Sequence, residues 1–365
     1  MSEQRTKPRI LALTGHPVEA AGARHRVIQF LPHLETAGFR VDHQAFFNSA
    51  EYAILYKRGH HAAKVGALVA GTFRRASWLA KLPRYDAVFM HVWLHPVSFP
   101  PFDMALSSSG VPVVYDLDDP YYAPNGSVAD RLRDREFIVR LVRAAHCVIA
   151  GSEHIANFVR GHGAQVEIVS TAIDTERFTP RDFDRQRNPK PVIGWVGSPA
   201  TAQFLEPIYP IIEKLARSHD FVFRVVGAGR RIPLSGVDCE WVDWKLENEV
   251  NNFRQLDIGL YPLLDGEFTR AKHGFKLNQY MATGIPTVAS AIGMNTMLVE
   301  HGRNGFLANT SDEWYRALAD LLANEGLRRQ VGLAGRGFVE ATASVNVCAP
   351  RISEILSRAV ASRAR

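Results

Sequence analysis

Two α/β domains, each built on a parallel sheet, are what this sequence predicts, and three observations carry that expectation. Short β-branched runs alternate with longer helix-compatible segments, the alternation stops at a polar stretch and restarts beyond it, and 365 residues exceed one ordinary domain. In the first half, Arg9–Leu13 (RILAL), Asp86–Val92 (DAVFMHV), Val111–Leu117 (VPVVYDL), Cys147–Ala150 and Val166–Val169 have the length and apolar content of buried strands. The stretch Arg181–Lys190 (RDFDRQRNPK) interrupts the rhythm. Beyond it, Pro191–Val196, Phe221–Val226, Asp257–Tyr261, Ile285–Ser290 and Gly305–Leu307 repeat the strand pattern. The expected division is 1–183, a linker 184–190, then 191–345, with 346–365 as a C-terminal helix free to return to the first domain.

Between the strands, Leu205, Ile208, Ile212 and Leu215 form one helical stripe and Trp314, Leu318, Leu321 and Leu322 another, so both segments read as helices covering a sheet. A third apolar helix pattern, Val27, Phe30, Leu31 and Leu34, follows the loop Gly15-His16-Pro17 through Arg24-His25-Arg26. Parallel sheets take ligands outside the carboxyl ends of their strands.

Composition narrows the function. Hydrophobic residues make up 46% and charged residues 22%, the range of a chain that folds. Forty-three Lys+Arg against 37 Asp+Glu leave +6, which favours anionic partners but is too small and dispersed to argue nucleic acid. Cys147, Cys239 and Cys348 are far apart with no C-x-x-C pair, which fits a reducing, cytoplasmic setting. No leader-like h-region and no run of 18 apolar residues is present.

Two segments of the second half carry phosphate chemistry. The strand PVIGWV runs into Gly197-Ser198-Pro199-Ala200-Thr201, a small-residue turn whose N–H groups suit a phosphate at a helix start, or which is a plain turn. In Arg270-Ala-Lys272-His273-Gly274-Phe275-Lys276, three cations precede or open a helix that ends at Gly284-Ile-Pro286. Cations at the positive end of a helix are favourable only beside an anion, unless the run is simply a solvated basic face. In the first half, the strand VPVVY delivers Asp116-Leu-Asp118-Asp119, carboxylates that need cations nearby. Arg24 and Arg26 are candidates, a metal is a weaker one, and a helix-capping cluster remains open.

Taken in order, YDLDDPYY, AGSEHIANF, STAIDTERFTP, IGWVGSPATAQFLEPI, DIGLYPLLDGEFTRAKHGFKLNQYMATGIPTVASAIGMN and GRNGFLANTSDEW resemble the family-4-like glycosyltransferases (glycosyl transferases group 1). That resemblance covers most of the chain and implies the GT-B fold, two Rossmann-like domains facing across a cleft. It also implies retaining transfer of a sugar from a nucleotide diphosphate sugar to an acceptor hydroxyl on a glycan, lipid-linked or small-molecule acceptor. No cofactor and no metal are implied.

By resemblance, Gly197, Ser198, Lys272, Lys276, Gln279, Gly293 and Asn295 bind the donor, and Gly15, Arg24 and Asp119 meet the acceptor. Asp116, Asp118 and Lys276 are the catalytic candidates. Two departures stand out. Many members carry two glutamates separated by seven residues, where this chain has Ala271 and Gln279, with Glu267 four residues before the first as a stand-in. The family histidine near the end of the strand VPVVY aligns with Asp116, while His91 and His95, at the end of the preceding strand DAVFMHV, read as packed or capping residues. The same fold leaves open a nucleotide-sugar epimerase or a non-catalytic nucleotide-sugar-binding protein. Finally, the segment Tyr56–Tyr85 interleaves seven cations with Trp, Phe and Leu and has no acidic residue, which suits peripheral contact with the inner membrane face, a cation-lined acceptor channel or a solvated face.

Overall fold

A computed structural model describes residues 7–55, 57–123, 136–184 and 188–363. The polar lead 1–6, Tyr56 at the head of the basic segment, 185–187 of the expected linker and the last two residues of the C-terminal segment lie outside the described residues.

The chain forms two units, one of Met1–Ala172 with Val345–Arg365 and one of Ile173–Ser344. The first holds a six-stranded parallel sheet of β1 (Arg9–Thr14), β2 (Arg40–Ala45), β3 (Ala87–His91), β4 (Val113–Leu117), β5 (Cys147–Ala150) and β6 (Val166–Ile168), in the order β2-β1-β3-β4-β5-β6. β1, β3, β4 and β5 are buried nearly throughout, as strands covered by helices on both faces must be. One face packs against the helix Val345–Arg363, whose Cys348, Ile352, Ile355 and Leu356 join Ile10, Ala12, Phe89 and Val114 in one core. Each such aliphatic side chain, fully buried, contributes about 1.5–3 kcal/mol.

The second unit repeats the design with β7 (Val192–Val196), β8 (Val222–Val226), β9 (Asp238–Val242), β10 (Ile258–Tyr261), β11 (Thr287–Ser290) and β12 (Phe306–Ala308), all parallel, in the order β12-β11-β10-β7-β8-β9. Trp314, Leu318, Leu321 and Leu322 are buried on the helix Ser311–Ala323, which opens with a capping box between Thr310 and Glu313. Leu205, Ile208, Ile212 and Leu215 are also buried in one core, but not on one helix: a 3₁₀ turn, Ala202–Leu205, precedes the helix Tyr209–Ala216. Pro207 and Pro210 lack the N–H groups that a continuous helix would use there. The pattern from Val27 to Leu34 is likewise divided, into a 3₁₀ turn Ile28–Phe30 and a helix Leu31–Thr36.

Candidate functional site

In each sheet the strand order reverses once, between β1 and β3 in the first and between β7 and β10 in the second. Adjacent connections leave such a point in opposite directions, so the carboxyl ends there are open to a ligand. The residues singled out from sequence fall largely at these two places.

In the second unit, β7 passes into Gly197. A Cβ on Gly197 would lie 2.1 Å from the Trp195 indole, and one on Gly227, whose φ is 81°, would lie 2.4 Å from the Gly197 carbonyl oxygen. Two backbones therefore meet where no side chain fits. The Ser198 N–H donates to Thr201 Oγ1 at 3.1 Å, closing the turn on itself. Because the turn leads into four residues of 3₁₀ helix, the α-helical positive end expected there is missing.

The helix Phe275–Ala282 supplies such an end. It connects β10 to the parallel β11, so it runs antiparallel to both and its N-terminus stands at their carboxyl edge. Tyr280 pins it over the reversal point: the Tyr280 hydroxyl accepts the Val196 N–H at 3.0 Å and donates to the Leu260 carbonyl at 3.2 Å. Its ring fits because residue 259 is glycine; a Cβ there would lie 2.5 Å away. The N-cap, Gly274, has φ 76°, a left-handed conformation that favours glycine.

Lys272 and Lys276 flank this glycine, half-buried. The Lys272 ammonium lies 5.0 Å from the Phe268 ring centre and that of Lys276 5.7 Å from Phe253. Lys276 Nζ donates to Gln279 Oε1 at 2.9 Å, Gln279 Nε2 donates to Glu249 Oε1 at 3.3 Å, and Glu249 Oε2 pairs with Arg177 at 3.1 Å. Gln279 is wholly buried, and its amide links Lys276 to Glu249. A glutamate at 279 would set two buried carboxylates against each other, which explains the amide. Nothing in the spacing of LENEVNNF marks Glu249, and sequence reasoning missed it. Ala271 is buried and Glu267 is exposed on the short helix Glu267–Ala271.

Gly293 and Asn295 join the same edge. A Cβ on Gly293 would lie 2.2 Å from the Arg270 carbonyl oxygen, and one on Gly274 would lie 3.3 Å from Asn295 Oδ1. Asn295 is buried and donates to the Ser290 carbonyl at 2.9 Å.

In the first unit, β4 ends in the carboxylate cluster. Arg26 grips Asp116 with Nε at 2.9 and 3.1 Å and Nη2 at 2.6 Å, while its Nη1 donates to the Val169 carbonyl at 2.8 Å. Asp116 is fully enclosed, with both carboxylate oxygens held by Arg26. Arg24, 5% exposed on the helix Ala21–Arg26, donates to the Val18 and Glu19 carbonyls of the loop before it. Gly15 packs against Trp93, where a Cβ would lie 2.5 Å from the indole, and Asp119 is half-buried beside Asp118.

His91, the register partner of Asp116 on β3, does more than pack. Its Nε2 lies 3.1 Å from Asp118 Oδ1 and 3.9 Å from Asp116 Oδ1. Gly22 makes room, since a Cβ there would lie 3.0 Å from the imidazole. The next residue, Val92, has φ 65°, a strained conformation for a β-branched residue, held by its N–H to the Asp116 carbonyl at 3.1 Å and by the Tyr115 hydroxyl on its own carbonyl at 2.7 Å. His91, Asp116 and Asp118 place ligand atoms within 4.8 Å of one another, the span of a metal site, but Arg26 already covers both Asp116 oxygens.

Burial opposes charge on His91, and Asp118, then Asp116, outweigh it and raise the imidazole above its ordinary value. Burial likewise opposes ionisation of Asp118, and His91 and Arg26 overcome it, bringing the carboxyl down to about 2. The His91 contribution is therefore complete below the ordinary histidine value near 6.5 and fades as pH rises through the raised one. That of Asp118 is complete above the ordinary aspartate range and fades as pH falls towards 2. Breaking a buried pair typically costs about 3–5 kcal/mol. We expect His91→Gln to lose stability of that order in denaturant titrations at pH 5–6, and the loss to shrink as pH rises through the raised histidine value; a near-zero loss at pH 5–6 contradicts the charged pair.

Family models match both units: one described as a glycosyl transferase 4-like domain over residues 9–172, and one described as glycosyl transferases group 1 over 190–324. D-inositol 3-phosphate glycosyltransferase from Nocardioides sp. (strain ATCC BAA-499 / JS614) is 24% identical over 298 residues, 70% of this chain and 63% of that protein, so the chain spans under two thirds of that relative. Among solved structures, sucrose-phosphate synthase from Thermosynechococcus elongatus has a TM-score of 0.70 at 16% identity, over 97% of this chain and all of that one. Anabaena HepE in complex with UDP and glucose has a TM-score of 0.68 at 16% identity, over 96% of this chain and all of that one. With two six-stranded parallel sheets, each matched by its own family model, the chain belongs to the group 1 glycosyltransferases of GT-B fold.

Proposed function

We propose that the chain is a retaining hexosyltransferase that moves a sugar from a nucleotide diphosphate sugar to an acceptor hydroxyl, with no metal or other cofactor. The donor is assigned to residues 191–345 and the acceptor to 1–183. The observation that carries this reading is the placement of Lys272 and Lys276 on either side of Gly274, at the positive end of an eight-residue helix. A helix dipole disfavours each such cation by about 0.3–1 kcal/mol. A diphosphate reverses that balance, and the UDP bound by HepE supports a nucleotide donor.

In this reading the bond from the anomeric carbon to the diphosphate breaks with its electrons going to the leaving oxygen. On the same face of the sugar the acceptor oxygen bonds to the anomeric carbon, and its proton passes to the leaving diphosphate oxygen. Lys276 stabilises the charge that develops, held in place by Gln279 and Glu249. Gly197, Ser198, Gly293 and Asn295 shape the donor site. Asp118, paired with His91, orients the acceptor hydroxyl, with Gly15 and Asp119 beside it. Asp116 acts through Arg26 and Arg24 through its loop, as positioning residues.

The reading keeps the protein in the cytoplasm, with peripheral contact at the inner membrane face. On the helix His61–Leu79, Val65, Val69 and Phe73 stand one turn apart, 61%, 48% and 74% exposed, and Met104 is 69% exposed on the helix Pro100–Ser107. Lys57, Arg58, Lys81 and Arg84 are exposed in the same stretch, and no acidic residue occurs from 57 to 85. Apolar side chains framed by cations suit an anionic lipid surface, each cation near it contributing about 1 kcal/mol.

Two outcomes follow. Lys276→Ala should keep its fold and lose transfer by about 10²-fold or more in steady-state assays; near-normal turnover removes the donor assignment. The wild-type chain should sediment with anionic liposomes at low salt, and less so when Phe73 and Val69 are both changed to serine. A folded wild-type chain that stays in the supernatant at low salt sinks the membrane contact.

A further inference from the structure

On the helix His61–Leu79, Val65, Val69 and Phe73 face outward, while Arg75, on the same buried face as Ala67, Gly71 and Leu79, is wholly enclosed. One nitrogen, Nη2, donates to the Thr14 carbonyl at 2.6 Å. Nε and Nη1 are enclosed without a hydrogen-bond partner among the described residues. The Phe46 ring centre lies 5.9 Å from the guanidinium carbon, and the ring can come so close because residue 71 is glycine, where a Cβ would meet it at 2.4 Å.

Among the described residues, no titratable group around Arg75 offsets its charge. Burial first, and then Arg75 itself, push His43 and His95 down to about 4, so both are neutral at pH 7. His43 Nε2 lies 3.0 Å from Thr14 Oγ1 and His95 Nε2 lies 3.1 Å from Thr72 Oγ1. Arg74, the other charge acting on it, is a cation paired with Glu51. Burial and Arg74 bring Arg75 down to about 9, which leaves it protonated at neutral pH. An enclosed guanidinium with spare donors and no counter-ion among the described residues is an expensive arrangement unless something anionic completes it.

Its place is that of a ligand site. Thr14 is the last residue of β1, and the loop that carries His95 leaves β3, so Arg75 lies under the reversal point of the first sheet. That loop holds two non-glycine residues in left-handed conformation, Val92 (φ 65°) and Ser98 (φ 60°), and strain of this kind collects at ligand sites.

We propose that Arg75 anchors an anion-binding subsite in the first unit, taking one phosphate or carboxylate group on its unused donors. The group is either part of the acceptor or a free anion. This assignment stands apart from the donor reading, which concerns the other unit.

The test is calorimetric titration of inorganic phosphate into the full-length protein with Lys272 and Lys276 both changed to alanine, which lacks both lysines of the proposed diphosphate site. One saturable site is expected, weakened at least tenfold when Arg75→Met is added. Absence of saturable binding overturns the proposal without any Arg75 variant, and unchanged affinity in Arg75→Met overturns it as well. If Arg75→Met does not fold, Arg75→Lys must bind phosphate more weakly; equal affinity is again fatal. Displacement of the phosphate by glucose 6-phosphate but not by glucose identifies an acceptor group as the source, and displacement by neither identifies a free anion.

Discussion

A carboxylate that is 2% exposed organises the second unit. Glu249 lies between the Arg177 guanidinium and the Gln279 amide, and the far side of that amide holds the Lys276 ammonium at the start of the helix Phe275–Ala282. Remove the acid and a buried amide loses an acceptor while a lysine loses its fixed position. The whole helix is also tied to the strand ends through Tyr280, whose hydroxyl bridges Val196 and Leu260. A positive helix end and a restrained ammonium are thus held ready at the carboxyl edge of the sheet. Preorganised charge of this kind is worth more to a transition state than charge that must be gathered during reaction.

The first unit handles charge differently. Arg26 reaches across from the end of the helix Ala21–Arg26, which follows β1, to close on Asp116 and, with its last nitrogen, on the Val169 carbonyl just after β6. One guanidinium thereby ties β4 and β6 together beneath the site. Above it, His91 and Asp118 stay at the rim, with side chains 7% and 14% exposed. The strained Val92 turns the chain sharply after His91, and its two backbone hydrogen bonds go to the same β4 segment. Two neighbouring strands therefore supply one ion pair whose partners could not be matched from their separation in sequence.

The strands of the sheet centres were legible because burial on both faces demands uninterrupted apolar runs. Cys147–Ala150 matches β5 residue for residue, and Pro191–Val196 exceeds β7 by one. The two strands that escaped notice are both edges. β2, RVDHQA, and β9, DCEWV, pair on one side only and stay half-exposed, so nothing forces an apolar run on them. The glycine turns and the lysines of the candidate site were readable through spacing and charge. Asp116 and Asp118 look equivalent in sequence, yet one is fully enclosed by Arg26 and the other reaches the rim, a difference set by packing across ninety residues. Glu249, the partner of the Gln279 amide, comes from thirty residues away.

The central claim is that fixed cations, without a metal ion, hold the diphosphate of the donor in the second unit. The most direct measurement is calorimetric titration of UDP, GDP, TDP and ADP into the full-length protein in EDTA, repeated with Lys272 and Lys276 both changed to alanine. The account predicts that at least one nucleoside diphosphate binds saturably in EDTA and that the double variant weakens it by tenfold or more. Binding that requires added Mg²⁺ or Mn²⁺, or that survives the loss of both lysines unchanged, contradicts it.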